Sequence, residues 1–229
     1  PNNPTGAVIP RSRLAELMEV AREADLIVIS DEIYDAMVYD GAGSTCVASL
    51  SPDAMARTVV VHAVSKSWAM TGWRVGWMLG PAALVSACAT LQGHSTSGVC
   101  AVNQAAAFGA LSSPASWLEP VRARMMARRD LCVAGLQGIP GLDLGPPPQG
   151  AFYAFPRIDA LFGKVDPTTG KVFASGLDVA SFLLAEGSVA IVPGEAFGEP
   201  RCIRISYAVS EEALAEGLRR IRTALASLA

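Results

Sequence analysis

The hydrophobic positions of the chain follow two patterns, helical spacing and short continuous runs. Residues 10–23 are predicted to form an amphipathic helix that starts at a proline, because apolar residues recur there at helical spacing: Leu14, Leu17, Met18 and Ala21. Continuous apolar runs of strand length occupy residues 26–30, 58–64 and 75–79. Short apolar strands separated by helices indicate an α/β fold, with a mostly parallel central sheet that is buried on both faces.

The second half of the chain has a different order of elements. Residues 81–111 are predicted to be helical with an interruption at 93–98, and a long helix is predicted from about 115 to 137. A Pro/Gly-rich loop (138–150) leads into an α+β unit, in which the strand-like and helical segments are 151–155, 178–186, 189–192, 202–207 and a final helix bearing Leu214, Leu218, Ile221 and Leu225. We therefore predict a large domain over 1–114, an interdomain helix over 115–137 and a small α+β domain over 138–229.

Composition and charge exclude several classes of protein. Apolar residues make up 51% of the 229 residues and charged residues 17%, which is typical of a globular chain. The net charge of −3 indicates no binding of nucleic acid or of anionic membranes, and no apolar stretch is long enough to span a membrane. Five scattered cysteines without a Cys-x-x-Cys pair favour a reducing compartment, with the cytoplasm as the default, and argue against disulfides or zinc.

Polar residues with distinct chemistry follow two of the predicted strands. Asp31 and Lys66 lie where strands end, and ligands of parallel sheets bind beyond the carboxyl ends of the strands. A lysine can hold an aldehyde as a Schiff base, an aspartate can pair with a pyridinium nitrogen, and Arg74 can bind a phosphate. Tyr34 and Asn3 are suitable donors for a ring oxygen. These five groups suit the different atoms of pyridoxal 5′-phosphate (PLP).

The same motifs resemble, in order, those of the class I/II PLP-dependent aminotransferases of fold type I, and most closely the bacterial aspartate aminotransferases. The resemblance runs along the whole chain and rests on five motifs: residues 1–6 (PNNPTG), 30–34 (SDEIY), 65–66 with Arg74, 150–153 (GAFY) and 204–207 (RISY). The fold type I large domain, here with a partial mixed or mostly parallel sheet, and a smaller α+β carboxyl-terminal domain are the architecture that this resemblance implies.

The resemblance also implies roles for individual residues. Lys66 is implied to be the catalytic Schiff-base lysine, Asp31 the partner of the pyridinium nitrogen, Asn3 and Tyr34 the ligands of the 3′-oxygen, Arg74 the phosphate ligand and Arg204 the residue that binds the substrate α-carboxylate. The implied reaction passes an amino group from an L-amino acid, with aspartate as the best match, to a 2-oxo acid such as 2-oxoglutarate. The implied assembly is a homodimer, in which Ser95, Thr96 and Ser97 fall where the partner donates a hydroxyl to the cofactor phosphate.

Two departures from the family pattern affect this interpretation. Ala63 stands where the family has Ser or Gly, so a hydroxyl contact to the phosphate is expected to be missing. The family's glycine/serine-rich phosphate loop, its ring-stacking aromatic residue and several strands precede the part that matches, so the chain resembles roughly the carboxyl-terminal three-fifths of the enzyme. A sheet without those strands exposes edges and apolar faces, and the 229 residues alone are expected to bind PLP weakly and transaminate poorly.

Other functions remain open at this point. Within the enzyme class they are an aromatic or other amino acid aminotransferase and a PLP-dependent β-lyase. Outside it they are a non-catalytic PLP-binding sensor and an inactive truncated product. The histidines, His62 and His94, have no acidic cluster with them, which argues against a metal site, and His62 is expected to be a packed core residue.

Overall fold

The computed structural model describes residues 1–228, which divide into two compact units. Unit 1 contains Pro1 and residues Val8–Arg122, and unit 2 contains Asn2–Ala7 together with the chain from Ala123 onward. Helix α5 (Glu119–Leu136) contributes to both. The domain boundaries at 114 and 137 stay a prediction. Within residues 1–228 no helix combines the length and the hydrophobicity that a membrane span requires.

Unit 1 is built on a three-stranded sheet in the order β1-β2-β3. Its strands are β1 (Val28–Asp31), β2 (Thr58–Ala63) and β3 (Gly76–Leu79). Its helices are α1 (Arg11–Glu23), α2 (Pro52–Arg57), α3 (Ala82–Ser95) and α4 (Ala101–Leu111), with 3-10 turns at Val47–Ser49, Thr71–Trp73 and Ala115–Leu118. Strands β1 and β2 pair in parallel and β3 pairs with β2 antiparallel, so the sheet is mixed.

The first predicted helix is present as α1, but it buries fewer residues than its pattern suggests. Met18 and Ala21 pack with Val47 and Ala54 in one core cluster. Leu17, which shares the helical spacing, is 56% exposed. The predicted interruption of the next helical segment is also present, because α3 and α4 are separate helices and Ser97 between them has a left-handed φ of 61°.

The outer strands of this sheet are less covered than expected. In β2 the side chains of Thr58, Val59 and Val60 are buried, as a central strand requires. Ile29 in β1 is 74% exposed, however, and Leu79 in β3 is 60% exposed. The prediction of burial on both faces is therefore wrong for the outer strands of residues 1–228, and the expected exposed apolar surface is observed there.

Unit 2 is an α+β unit with its longest strand in the middle of the sheet. Strand β6 (Ile203–Ser206) pairs antiparallel with β4 (Tyr153–Ala154) on one side and with β5 (Val192–Pro193) on the other. The helices α6 (Gly176–Gly187) and α7 (Glu211–Ala226) pack together, and 3-10 turns lie at Asp159–Leu161 and Gly194–Phe197. The largest fully buried apolar side chains of the unit are those of Ile139, Ile158, Leu161, Phe173, Val179, Leu183, Ile203, Tyr207 and Ile221.

The long helix begins later than predicted and has a buried cation. The residues before Glu119 form a 3-10 turn after Pro114, and α5 carries Pro120 in its first turn, where proline is tolerated. The sequence pattern suggests a solvated face for the arginines of this helix. Arg129 is only 5% exposed and donates from Nη1 to the carbonyl oxygen of Pro148 at 3.1 Å, so this arginine anchors the loop before β4 instead.

The loop that contains Asn3 depends on glycine at position 6. Gly6 has a φ of +68°, and a Cβ there would lie 2.6 Å from the Cβ of Pro148 and 2.9 Å from the carbonyl oxygen of Gly150. Gly150 and Gln149 both donate their N–H groups to the carbonyl oxygen of Gly6. We expect Gly6→Ala to lower the free energy of unfolding by about 3 kcal/mol or more, since backbone strain and overpacking add.

Gly138→Ala is the matched control, because Gly138 lies in the same unit with a φ of +69°, and a Cβ added there would meet no atom within 4 Å. It should cost about 1 kcal/mol from backbone strain alone. Denaturant unfolding of both variants measures the difference. Equal losses of stability would contradict the close packing of residues 148–150 on Gly6.

Candidate functional site

Three of the predicted site residues line one cavity in unit 1. Its volume is about 630 Å³, within the range of about 300–1,000 Å³ of small-molecule sites. Asp31 lies at the carboxyl end of β1, and Lys66 and Arg74 belong to the loop between β2 and β3. A carboxylate, an amine and a guanidinium therefore converge where the sequence pattern places them. The cavity also contains the apolar side chains of Ile33, Val61, Val75, Trp77 and Met78.

The loop that carries Lys66 and Arg74 is closed at its base. The N–H of Val64 donates to the carbonyl oxygen of Val75 at 3.3 Å, and both side chains are buried in a cluster with Ala107. Trp68 and Trp77 pack against this cluster, as expected of tryptophans around a cleft, whereas Trp73 is 41% exposed. The amide of Asn103 adds a tie, because it donates to the carbonyl oxygen of Trp73 at 2.8 Å. The amine and the guanidinium are thus presented by one closed loop.

Arg74 occupies a strained backbone position. Its φ is 53° and its ψ 49°, in the left-handed region that non-glycine residues rarely adopt. The guanidinium is exposed and donates from Nη1 to the carbonyl oxygen of Thr71 at 3.0 Å. A strained backbone conformation persists where the surrounding structure fixes it. In this conformation Arg74 lines the edge of the cavity.

Asp31 and Tyr34 are positioned by the turn that follows β1. The carboxylate of Asp31 is exposed at the strand end and accepts from the N–H of Ile33 at 3.2 Å. Tyr34 is 6% exposed, and the amine of Lys66 lies 6.0 Å from the centroid of its ring. The phenol and the lysine are thus neighbours in space although they are far apart in the chain.

The cavity wall also contains the position where a hydroxyl was expected to be missing. Ala63 lines it with a methyl group that cannot form a hydrogen bond, but the buried Ser65 lines it as well. Thr71 and Gln92 contribute further polar side chains. The sequence pattern assigned no role to Ser65. Its position directly before Lys66 on the loop was the feature that indicated a place in the site.

Arg204 lies in unit 2, together with Asn3. It occupies the central strand β6 between the buried Ile203 and Ile205, so it is not a surface charge on an edge strand. Its Nη1 donates to Oδ1 of Asn3 at 2.8 Å, and its guanidinium carbon lies 4.5 Å and 4.9 Å from the ring centroids of Tyr153 and Phe197. Its Nε is buried without a hydrogen-bond partner. Two aromatic rings and an amide therefore hold this cation in place.

The hydroxyl residues at 95–97 lie apart from these groups, and the pair of His62 with Asp35 was not predicted from the sequence. Ser95 ends α3, where its hydroxyl donates to the carbonyl oxygen of Leu91, and Thr96 and Ser97 follow it on the surface. His62 is packed, as expected, but its Nε2 also lies 3.0 Å from Oδ1 of Asp35 and its ring lines the same cavity as Lys66. The sequence held no signal for this pair beyond the polar character of both residues.

Comparison with known proteins gives the context for this geometry. The family model for aminotransferase class I and II matches residues 1–221. An aspartate aminotransferase from Streptomyces avermitilis is 42% identical over 98% of this chain, which spans 54% of that protein. The crystal structure of an aspartate aminotransferase from Rhizobium meliloti superposes with a TM-score of 0.93 at 40% identity, over 100% of this chain and 57% of that one.

An aromatic aminotransferase from Pyrococcus horikoshii is also similar, with a TM-score of 0.88 and 36% identity over 99% of this chain and 58% of that one. The chain thus spans a little over half the length of these relatives. The match of the family model over nearly all residues agrees with the fold type I architecture of unit 1 and unit 2. The chain belongs to the class I and II aminotransferase family.

Proposed function

We propose that the protein acts as a PLP-dependent aminotransferase that moves the amino group of an L-amino acid to a 2-oxo acid. The observation that carries this proposal is the convergence of Asp31, Lys66 and Arg74 on one cavity of about 630 Å³. Each group has a different charge and chemistry, and PLP offers one matching atom to each. Members of the family to which the chain belongs are PLP-dependent.

The residues of the cavity fit the cofactor. Asp31 lines the cavity with a carboxylate suited to a ring nitrogen. Arg74 and Ser65 provide a cation and a hydroxyl for a phosphate. Lys66 would hold the aldehyde carbon, and Tyr34, whose ring lies beside the amine of Lys66, would donate to the 3′-oxygen. The same role for Asn3 rests on the family resemblance alone. Apolar side chains on the remaining wall exclude water from the ring, which strengthens these polar interactions.

PLP, when bound, withdraws electrons from the substrate's Cα and carries the amino group between the two half-reactions. Once the substrate's amine has displaced Lys66 from the aldehyde carbon, the freed amine of Lys66 would take the proton from Cα and deliver it to that carbon, because it is the one primary amine among the cavity residues. Asp31 would place its carboxylate at the ring nitrogen and so favour a proton there. Arg74 would hold the phosphate end, since a guanidinium is suited to bind phosphate oxygens.

In unit 2, Arg204 is suited to a substrate carboxylate. A guanidinium binds a carboxylate in bidentate fashion, and its Nε, buried without a partner, is one donor that such a ligand would satisfy. Asn3 accepts from Arg204 with its carbonyl oxygen, since a guanidinium only donates. The amide nitrogen of Asn3 therefore remains as a donor, as the proposed contact to the 3′-oxygen requires.

Aspartate is the amino donor that we propose, with 2-oxoglutarate as the acceptor. The support is that relatives at about 40% identity are named aspartate aminotransferases, from Streptomyces avermitilis and Rhizobium meliloti among others. No observation on the cavity favours a β-lyase or a sensor. We further propose a homodimer and a cytoplasmic location, both of which rest on the family resemblance and the sequence.

Replacement of Arg204 by lysine should separate substrate binding from chemistry. We expect KM for aspartate to rise about 10- to 100-fold, the factor for loss of one hydrogen bond to a charged group, with a smaller change in kcat. Lysine retains the charge but loses the planar fork and the stacking on Tyr153 and Phe197. Steady-state kinetics with varied aspartate measures both constants.

Arg201→Lys is the matched control, because Arg201 is an exposed arginine near the start of the same strand and pairs with Glu199. Its kinetic constants should stay at the wild-type values. An unchanged KM in Arg204→Lys, or an equal rise in Arg201→Lys, would contradict the proposed role of Arg204.

The function as a whole is tested by adding PLP and then single amino acids to the protein. We expect a visible absorbance band of bound PLP that converts to that of pyridoxamine phosphate on addition of aspartate and is restored by 2-oxoglutarate. Because the 229 residues alone are expected to bind PLP weakly, PLP is added in large excess. Binding without conversion by any amino donor would favour a PLP sensor, and absence of binding at the highest PLP concentration would exclude the proposed cofactor.

A further inference from the structure

His62 and Asp35 form a polar pair that the proposed function leaves unused. Nε2 of His62 lies 3.0 Å from Oδ1 of Asp35, and the imidazole side chain is only 10% exposed. The ring stacks on Trp77, its cross-strand partner on β3, with centroids 4.9 Å apart and planes 8° from parallel. Nδ1 lies 2.8 Å from the backbone nitrogen and 3.2 Å from the carbonyl oxygen of Ala63, so it accepts from the N–H in the neutral ring and donates to the carbonyl in the charged ring, while Nε2 donates to the carboxylate in both.

This pair is a tie between strand β2 and the turn that carries Tyr34, and a backbone hydrogen bond is another. The first tie is the hydrogen bond from the N–H of Glu32 to the carbonyl oxygen of Val61 at 2.9 Å, directly after Asp31. The second is the contact between His62 and Asp35 at the far end of the turn. Tyr34 lies between the two ties, and its proposed partner Lys66 follows His62 by four residues on the β2 side.

We propose that His62 is a positioning residue, which through Asp35 fixes the turn bearing Asp31 and Tyr34 against the strand that leads to Lys66. The inference deepens the proposed function, on which it rests, because it names a residue that sets how firmly the same site holds PLP. His62 lines the cavity, but in this role it acts through Asp35 and not by a contact of its own to cofactor or substrate. It acts by keeping the carboxylate, the phenol and the amine at a constant mutual distance.

The strength of the contact between His62 and Asp35 depends on pH, because the imidazole is either charged or neutral. The hydrogen bond to Asp35 raises the pKa of His62 above its usual value, against the opposing effect of burial, and Glu32 adds a smaller attraction. Other titratable groups lie near the pair. Asp31, Lys66 and Arg74 line the cavity, the thiol of Cys46 lies beside Glu32, and the α-amine of Pro1 is close to Asp35. Strand β3 contributes the uncharged Trp77.

The sign follows from the direction of that shift. Because the pKa is raised in the folded protein, the extra stabilisation by the charged pair is complete at pH values below the unfolded pKa of histidine. It is lost as the pH rises through the raised pKa of His62. Above that pH the neutral imidazole still donates from Nε2, so the tie becomes weaker and does not disappear.

Nuclear magnetic resonance tests the pair without any cofactor, because the chain has two histidines. The imidazole resonances of His62 and His94 are followed against pH in the wild type and in Asp35→Asn, with His94→Gln used for assignment. We expect Asp35→Asn to lower the titration midpoint of His62 and to leave that of His94 in place. An unchanged midpoint for His62 would overturn the proposal at its first step.

PLP titrations of the wild type, His62→Gln and Asp35→Asn then test the positioning. Each single variant should bind PLP about tenfold more weakly below the His62 midpoint, the factor for a hydrogen bond to a charged group, and the double variant no more weakly than either. The ratio to the wild-type dissociation constant should shrink above that midpoint. His94→Gln is the control, with wild-type affinity, and circular dichroism verifies that each variant is folded.

The outcomes separate this inference from the proposed function. If the wild type binds no PLP while the histidine titration behaves as expected, the proposed function fails, and the positioning role fails with it. If the wild type binds PLP and His62→Gln binds it equally well across the pH range, the positioning role alone is overturned. Additive losses in the double variant would also overturn it, because they would show that the two residues act independently.

Discussion

Replacing Lys66 with alanine is expected to lower transamination by at least about 10³-fold, the largest effect of any single substitution in the chain. In the proposed function the primary amine holds the cofactor and moves the proton at the substrate's Cα, so its removal would eliminate two functions together. The half-buried side chain lies on the loop closed by Val64 and Val75, and loss of its end should leave that loop folded. Activity assays and the visible band of bound PLP measure the loss.

The small number of lysines allows the lysine that binds PLP covalently to be identified by experiment. The chain has three, of which Lys164 donates to the carbonyl oxygen of Leu228 and Lys171 pairs with Asp178. Borohydride reduction of the PLP-loaded protein, followed by peptide mass spectrometry, should place the covalent label on Lys66. Lys171→Ala is the control and should retain both label and activity. A label on either other lysine would contradict the assignment.

The second large effect is expected at Asp31. Asparagine preserves the shape of the side chain and the oxygen that accepts from the N–H of Ile33, but it removes the carboxylate that, in the proposed function, keeps the ring nitrogen protonated. We expect kcat of Asp31→Asn to fall by about 10²-fold or more, within the range for groups that control proton placement. KM for aspartate should change much less, because the substrate carboxylate is assigned to Arg204.

Asp143 offers a closely matched control for this substitution. Its Oδ1 accepts from the N–H of Gly145 at 3.0 Å, the same local two-residue arrangement as Asp31 with Ile33 at 3.2 Å, but it lies in unit 2 outside the cavity. Asp143→Asn should have wild-type kinetics. If both variants lose kcat to the same degree, the effect belongs to the local turn and not to a charge at the cofactor.

Local signals explain why most elements could be predicted. Helix α1 follows from the spacing of Leu14, Met18 and Ala21, and the break between α3 and α4 follows from the Ser/Gly segment that contains Ser97. The positions of Asp31 and Lys66 follow from the ends of two apolar runs, because strands of a parallel pair end at the same edge. These signals need only neighbours in the chain.

Apart from the later start of α5, the predictions that were wrong concern burial, which depends on distant parts of the chain. Leu17 has the spacing of a core residue and is exposed, while Arg129 has the composition of a solvated face and is buried against the Pro148 carbonyl. Ile29 on the outer strand β1 is apolar and exposed. Hydrophobic periodicity states which side chains would gain from burial, but not whether a partner surface covers them.

By itself, the amino-acid sequence determined the order of the elements, the identity of the groups that suit PLP and the membership of a family, because each of these is encoded in residue type and spacing. Tertiary structure decided that Arg204 lies on a central strand against Asn3, that Ser65 lines the wall beside Ala63, and that His62 meets Asp35. The contacts of Arg204 with Asn3 and of His62 with Asp35 join residues distant in the chain, and they depend on strand order and register, which local pattern does not specify.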